Sequence, residues 1–201
     1  MVETPRPAVV RLDDPLALDP GLVGAKAANL ARAATAGLPT GIVTQIIVDP
    51  NNSSRYYAGV VGSGVFRSDD GGDNWVSVNN AVLSTNATLG SSTAVSLTAH
   101  AGGGTTRVYA MVSYDDPDTS NPPAVVPQVF TSTNGGTSWT ELAAVTAGFE
   151  SGFGDLYDTR ASDQIIVDPS DQTIVYLAKG YGGSPFILRY NPAGAGSWDT
   201  I

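Results

Sequence analysis

From Gly41 onward, apolar and polar residues alternate in short runs that are separated by Gly, Asn, Asp and Pro. Ile, Val, Tyr and Thr dominate these runs, and such residues favour the half-buried, pleated surface of a β-strand. Strands this short, with turn residues between them, are typical of antiparallel β structure. The pattern predicts twelve strands, at residues 44–48, 55–61, 64–68, 74–78, 94–100, 106–113, 127–132, 138–143, 163–167, 173–179, 185–190 and 197–201.

The twelve strands repeat as three groups of four. One unit opens with QIIVDPNNSS at Gln45, and another opens with QIIVDPSDQT at Gln164. Each unit has a tyrosine in its second strand and a tryptophan at its last hairpin: Tyr57, Tyr109 and Tyr176, then Trp75, Trp139 and Trp198. Four-stranded repeats at this spacing predict propeller blades. The predicted blades cover about 41–82, 94–143 and 161–201.

Residues 1–40 differ from the rest of the chain and carry one helical pattern. The stretch LVGAKAANLARAATAG, residues 22–37, is rich in Ala, Leu, Lys and Arg, which favour helices. Asp19 lies ahead of it as a start signal, and Gly37 ends it as a stop signal. The predicted fold class is therefore mostly β, a partial β-propeller of about three four-stranded antiparallel blades with one N-terminal α-helix.

Composition and charge narrow the classes of partner. The formal net charge is -9, and an acidic surface repels phosphate groups, so we expect neither nucleic acid nor a membrane as a partner. The chain has no cysteine, which excludes disulfides and thiolate metal sites. No apolar run approaches the length of a membrane span. The first fifteen residues lack the basic start and apolar stretch of a secretory signal.

Two hairpins share a motif. RSDDGGDNW contains Ser, Asp, Gly and Trp at the spacing S-x-D-x-G-x-x-W, and TSTNGGTSW repeats it with Asn in place of Asp. A short Asp or Asn side chain accepts hydrogen bonds from turn N–H groups, and Gly supplies the positive φ that a tight hairpin needs. The Asn keeps the acceptor, so both turns should form. The eight motif residues are Ser68, Asp70, Gly72, Trp75, Ser132, Asn134, Gly136 and Trp139.

This motif resembles the Asp-box of sialidase-like β-propellers, also called the BNR repeat. The resemblance implies that the eight residues are structural and lie away from the active face. It also implies a secreted or cell-surface location. A contact between an exposed tryptophan and a glycan or protein is the functional alternative for the same residues. In the third unit, YNPAGAGSW keeps only Trp198 in register, and Gly196 lies one place out.

The N-terminal stretch LDPGLVGAKAANLARAATAGLPTG resembles the start of the nucleotide-binding domain of phosphoenolpyruvate synthase and pyruvate phosphate dikinase. Lys26, Asn29 and Leu30 match a pattern in which the lysine approaches nucleotide phosphates. The rest of that site has no counterpart, so we expect Lys26 to be a solvated lysine and the chain to need no cofactor. The join near Thr40 is consistent with a natural fusion, an engineered chimera or a gene-assembly product.

Two acidic stretches are weak candidates for chemistry. Oxygen ligands such as carboxylates bind Ca²⁺, but Asp115, Asp116 and Asp118 lack a defined ligand spacing, so we predict a solvated loop and no metal site. Glycoside hydrolysis needs a pair of carboxylates, and the loop GFESGFGDLYDTR supplies the weak catalytic candidates Glu150, Asp155 and Asp158. A sialidase also needs clustered arginines, whereas the sequence shows them scattered, at Arg55, Arg67, Arg107, Arg160 and Arg189.

Three functions stay open at this point. The first is a non-catalytic Asp-box propeller module, or a propeller fragment, that binds a glycan or a protein. The second is a fragment of a glycoside hydrolase of sialidase-like or xyloglucan-hydrolase-like type. The third is a phosphotransferase remnant. Three blades leave an open flank at each end, so we also expect self-association through open blade edges.

Overall fold

The computed structural model describes residues 36–39, 41–80, 83, 92–115, 125–145, 164–179, 186–193 and 196–201. These residues form twelve strands in three four-stranded antiparallel sheets. Each sheet is a simple meander, in which every strand pairs with the next strand along the chain. The predicted mostly β fold of three four-stranded antiparallel blades is confirmed. The predicted N-terminal helix lies outside the described residues, except for Ala36 and Gly37, which form a turn.

The strands of each blade follow in chain order. Blade 1 consists of β1 (Val43–Asp49), β2 (Asn52–Val60), β3 (Gly64–Ser68) and β4 (Val76–Ser77). Blade 2 consists of β5 (Ser92–Gly102), β6 (Thr105–Asp115), β7 (Val125–Ser132) and β8 (Thr140–Glu141). Blade 3 consists of β9 (Gln164–Val167), β10 (Val175–Lys179), β11 (Phe186–Asn191) and β12 (Ser197–Thr200). Each of the twelve predicted strands overlaps one of these.

Strand β4 is shorter than its predicted range, 74–78. The pairing between β3 and β4 is limited to Val76 and Ser77, and β8, predicted at 138–143, is limited in the same way to Thr140 and Glu141. The backbone N–H of Trp75 donates to the carbonyl of Ala36 at 2.6 Å. This hydrogen bond connects Ala36, which precedes blade 1, to the last hairpin of that blade.

Every blade has two chemically distinct faces, because side chains alternate across a strand. The tyrosine face carries the repeat tyrosine of the blade: Tyr57, Tyr109 or Tyr176. The tryptophan face is the opposite one and carries the hairpin tryptophan: Trp75, Trp139 or Trp198. The register of each sheet fixes which residues share a face, since directly paired residues lie on the same side.

The core lies between the blades. One buried cluster combines the tyrosine face of blade 1 with the tryptophan face of blade 2, and it includes Tyr57, Phe130 and Trp139. A second cluster repeats this arrangement between blades 2 and 3, with Tyr109, Leu188 and Trp198. The blades therefore stack face to face with one polarity, and their first strands, β1, β5 and β9, are neighbours in sequence order.

The indole rings join consecutive blades. The Nε1–H of Trp139 in blade 2 donates to the carbonyl of Val78 in blade 1 at 2.8 Å. The Nε1–H of Trp198 in blade 3 donates to the carbonyl of Ala143, which follows the last strand of blade 2, at 2.9 Å. Both rings are buried. Trp139 and Trp198 thus each contribute apolar area and satisfy one backbone acceptor of the preceding blade, whereas the Nε1–H of Trp75 donates to the carbonyl of Gly72 in its own hairpin at 2.9 Å.

We predict that Trp139→Ala lowers the free energy of unfolding by about 3–5 kcal/mol, the range for removing a large buried aromatic ring. Trp139→Phe keeps most of the ring but leaves the carbonyl of Val78 without its donor, so we expect a loss of about 1–3 kcal/mol. Chemical unfolding followed by circular dichroism measures both. A Trp139→Phe protein as stable as the parent would show that the indole hydrogen bond contributes nothing.

Candidate functional site

The motif hairpin of blade 1 is held by its own side chains. The Oγ–H of Ser68 donates to Oδ1 of Asp70 at 2.8 Å, and the same Oγ accepts from the N–H of Gly72 at 2.9 Å. The carboxylate of Asp70 then accepts from Asn74 twice, from the backbone N–H at 2.9 Å and from Nδ2 at 2.7 Å. Gly72 has a φ of 101°, which only glycine adopts without strain.

The hairpin of blade 2 repeats this network with an amide. The Oγ–H of Ser132 donates to Oδ1 of Asn134 at 3.0 Å, and the N–H of Gly136 donates back to Ser132 Oγ at 2.9 Å. Oδ1 of Asn134 also accepts from the N–H of Ser138 at 2.9 Å. An acceptor oxygen at this position is therefore sufficient for the turn, and a negative charge is not needed.

The motif tryptophans present little surface to a ligand. Trp75 is 8% exposed, Trp139 is 3% exposed and Trp198 is 5% exposed. In the third unit, Gly196 has a φ of 81° although it is one place out of register in the sequence. The motif residues thus contribute to packing and turn geometry in the described structure.

A polar cleft of about 310 Å³ lies between blades 1 and 2, at the end of the sheets that carries the motif hairpin of blade 2. The turn between β1 and β2 forms one wall, and two turns of blade 2 form the other. Backbone and neutral polar groups dominate the lining, with one basic and one acidic side chain. The lining residues are Asp49, Asn51, Asn52, Arg55, Gly104, Thr105, Thr106, Thr133, Asn134 and Gly135.

Asp49 organises the floor of the cleft. Its side chain is only 2% exposed, and it accepts hydrogen bonds from the hydroxyl of Thr106 and, at 2.9 Å, from the N–H of Asn51. Nδ2 of Asn51 donates in turn to Oγ1 of Thr106 at 3.0 Å. This network spans two blades, so it fixes both walls of the cleft. A buried carboxylate with such partners is held in one orientation.

Arg55 and Arg67 converge on one carboxylate. Nε of Arg55 lies 2.6 Å from Oδ1 of Asp69, while Nε and Nη2 of Arg67 lie 3.0 and 2.9 Å from Oδ2. Burial acts to raise the pKa of Asp69, but the hydrogen bond from Arg55 and the charges of both arginines outweigh it, so the pKa is lowered. The hydrogen bond to Asp69 likewise raises the pKa of Arg55.

The sequence gives no sign of this arginine pair, because two residues twelve apart meet only through the register of β2 and β3. Arg67 pairs directly with Tyr57, which places Arg55 at the diagonal position. Arg67 also crosses to blade 2, where its Nη1–H donates to the carbonyl of Gly135 at 2.6 Å. Burial raises the pKa of the neighbouring Tyr57, and the charge of Asp49 adds to the effect.

Several predicted residues lie outside the described part of the chain. These are Lys26, Asp116, Asp118, Glu150, Asp155 and Asp158; the side chain of Asp115 is also not described. Within the described ranges, no three His, Cys, Asp or Glu side chains come together as a metal site. The same ranges contain no helix with the length and apolar character to cross a bilayer.

Comparison with known proteins gives structural likenesses only. No family model matches the chain, and no curated protein matches it. The GH74 xyloglucanase from Xanthomonas campestris is 15% identical, with a TM-score of 0.42 over 78% of this chain and 21% of the xyloglucanase. An ancestral GH74 enzyme is 16% identical, with a TM-score of 0.40 over 79% of this chain and 25% of the enzyme.

A third similar structure is YCF48 from Cyanidioschyzon merolae, which is 15% identical, with a TM-score of 0.29 over 82% of this chain and 58% of YCF48. The chain thus spans about a fifth to a quarter of the two GH74 enzymes and less than two thirds of YCF48.

The Asp70 network predicts a pH-dependent contribution to stability. Hydrogen bonds from the side chain and backbone of Asn74, and then from Ser68, lower the pKa of Asp70 to about 2, from an ordinary value of 3.8. Because the folded pKa is the lower one, this contribution is present above pH 3.8 and is lost as the pH falls through 2. Carbon-13 NMR of the carboxyl group should show the depressed midpoint.

Asp70→Asn should remove this contribution while keeping the turn, because Asn134 already fills the equivalent place in blade 2. The stability difference between the parent and Asp70→Asn should therefore change between pH 5 and pH 2 (roughly, the range over which a depressed carboxyl titrates). Asp73→Asn is the control, since it removes the same charge from the same hairpin. A midpoint for Asp70 at or above its ordinary value would contradict the prediction.

Proposed function

We propose that the chain is a non-catalytic propeller module that binds a neutral glycan segment in the cleft between blades 1 and 2. The observation that carries this proposal is the lining of the cleft, where hydroxyl, amide and backbone groups converge around a single pair of opposite charges. A saccharide presents hydroxyls that both donate and accept hydrogen bonds. Threonine hydroxyls and asparagine amides do the same, so the two surfaces are complementary.

The charge balance favours a neutral ligand over an anion. Arg55, which lines the cleft, has two carboxylates beside it, Asp69 at 2.6 Å and Asp49 at 3.8 Å. A ligand anion would compete with carboxylates that are already in place. The neutral hydroxyl groups of a saccharide do not compete with these carboxylates, because they use the remaining donor and acceptor sites of the cleft side chains. Each such hydrogen bond contributes about 0.5–1.5 kcal/mol of net binding free energy.

The size of the cleft favours a glycan over a protein partner. Small-molecule sites have volumes of roughly 300–1,000 Å³, and this cleft has about 310 Å³. A stable protein interface instead needs about 800 Å² on each partner. The cleft therefore suits one or two sugar units, and a protein loop that inserts a polar side chain is the competing ligand.

Non-catalytic binding also fits Asp69, the carboxylate that pairs with Arg55 beside the cleft. A general acid in glycoside hydrolysis has a raised pKa, so that it carries a proton near neutral pH. The pKa of Asp69 is lowered instead. The glycoside hydrolase alternative depends on Glu150, Asp155 and Asp158, which lie outside the described residues, and it stays a prediction.

Titration calorimetry with neutral xyloglucan-derived, other neutral and sialylated oligosaccharides tests the proposal. We expect saturable binding of a neutral oligosaccharide, weakened about tenfold in Arg55→Ala by the loss of roughly 1.4 kcal/mol. The ion pair of Arg55 with the exposed Asp69 is worth only about 0–1 kcal/mol, so this variant should fold. Arg189→Ala, on the far side of blade 3, is the matched control and should bind as the parent does.

Three outcomes would contradict the proposal. The first is the absence of binding to every oligosaccharide, and the second is equal binding by Arg55→Ala and the parent. The third is the release of reducing ends during incubation, which would support the hydrolase alternative instead.

A further inference from the structure

The two outermost faces of the described blades are the two halves of one interface. Between blades 1 and 2, and again between blades 2 and 3, a tyrosine face packs on a tryptophan face. Among the described residues, the tyrosine face of blade 3 has no following blade, and the tryptophan face of blade 1 has no preceding one. We propose that two copies of this chain associate head to tail, with the tyrosine face of blade 3 on the tryptophan face of blade 1.

A third buried cluster lies on the tryptophan face of blade 1, and its composition supports this pairing. The linker ahead of each blade contributes one buried apolar residue to the cluster on its tryptophan face: Leu38, Leu83 and Val145. The cluster of blade 1 thus contains its linker residue and the residues of its own face, with Trp75 among them. The other two clusters also contain residues from the tyrosine face of the preceding blade. Residues 36–39 are therefore the ordinary entry to a blade and leave the rest of the face open.

At one equivalent position of the three tryptophan faces, the side chain is exposed in blade 1 and buried in blades 2 and 3. Ile46, Leu97 and Ile165 each pair with the residue that follows the repeat tyrosine, so they occupy the same place in their blades. Leu97 is 1% exposed and Ile165 is 2% exposed, because a preceding blade covers them, whereas Ile46 is 57% exposed. Val48, on the same face as Ile46, is exposed as well.

The tyrosine faces show the same difference. Val65, Val129 and Ile187 each lie in the third strand of a blade, opposite the residue two after the repeat tyrosine. Val65 is 0% exposed and Val129 is 2% exposed, whereas Ile187 is 44% exposed. Ile166 and Ile201 of blade 3 are exposed beside it. Both open faces thus carry exposed apolar residues at the positions where the internal interfaces bury theirs.

Polar groups on the open faces are also in matching places. Oε1 of Gln45 in blade 1 accepts from the N–H of Leu97 in blade 2 at 2.7 Å, and Ser96 Oγ accepts in the same way from the N–H of Ile165 at 3.4 Å. Gln164 is the equivalent of Gln45 on blade 3. In the head-to-tail pair it faces the N–H of Ile46 in the second copy.

An arginine adds a further match. Arg67 of blade 1 donates to the carbonyl of Gly135 in the hairpin of blade 2. Arg189 has the place of Arg67 in blade 3, since each pairs with the repeat tyrosine. Gly71 has the place of Gly135 in blade 1 and has open space around it. Arg189 of one copy thus meets the carbonyl of Gly71 in the other.

Closure follows from the number of blades. A head-to-tail interface forms a ring if its rotation closes and a filament if it does not. Two copies of the three described blades make six, which lies within the roughly four to eight blades of closed propellers. In this ring both open faces of the described blades are covered.

Light scattering after gel filtration of the 201-residue chain tests the proposal. At tens of micromolar we expect a species of twice 20.6 kDa. Ile46→Glu on blade 1 and Ile187→Glu on blade 3 should each dissociate it, because each places a charge on one of the two faces. Val76→Glu is the matched control, since Val76 is 54% exposed on the other face of blade 1 and should leave the dimer intact.

Mixing the two dissociated variants identifies the polarity. The Ile46→Glu chain keeps an intact blade 3 face and the Ile187→Glu chain keeps an intact blade 1 face, so a 1:1 mixture should form pairs again. Circular dichroism checks that each variant is folded, and Ile166→Glu replaces Ile187→Glu if that variant does not fold. A monomeric parent, growth beyond two chains, a dimeric Ile46→Glu protein or a mixture that stays monomeric would each overturn the proposal.

Discussion

The face-to-face contact between consecutive blades is the constraint on which the rest of the structure depends. A single four-stranded meander cannot bury either of its apolar faces by itself, so water would contact both of them. Each blade therefore needs the next, and the hairpin tryptophan is the residue that makes the contact specific. Its ring fills the space between the sheets, while its N–H satisfies a carbonyl of the preceding blade.

The cleft is a consequence of the same stacking. Two sheets that pack face to face leave their end turns side by side, and in blades 1 and 2 those turns carry Asp49, Asn51 and Thr106. Their shared hydrogen bonds close the floor and connect the two blades. The polar surface is thus set by the packing beneath it, so a change in the blade interface also changes the geometry of the cleft.

Sequence patterning predicts the blades well because a β-strand has a short and regular signal. The alternation of apolar residues and the repeated tyrosine and tryptophan place all twelve strands, and errors occur only at strand ends. The predicted ranges of β4 and β8 are too long, since only two residues of each strand pair with the strand before it. The motif hairpins are equally local, since every hydrogen bond of Asp70 and Asn134 joins residues at most four apart.

The cleft could not be predicted in the same way. Arg55 and Arg67 are twelve residues apart, and Asp49 and Thr106 are fifty-seven apart. Their meeting depends on the register between strands and on the stacking of two blades, which are properties of the folded sheets. The candidates that the sequence did single out, Glu150, Asp155 and Asp158, fall outside the described residues.

The polarity of the blades has an evolutionary consequence. Because every blade presents one face of each kind, a duplicated blade inserted between two others meets a complementary neighbour on both sides. Gene duplication can therefore lengthen such an array without inventing a new surface, and stability then grows as a sum over neighbouring contacts. Selection acts on the individual unit and on the ends of the array, and the number of units is free to drift until a ring closes.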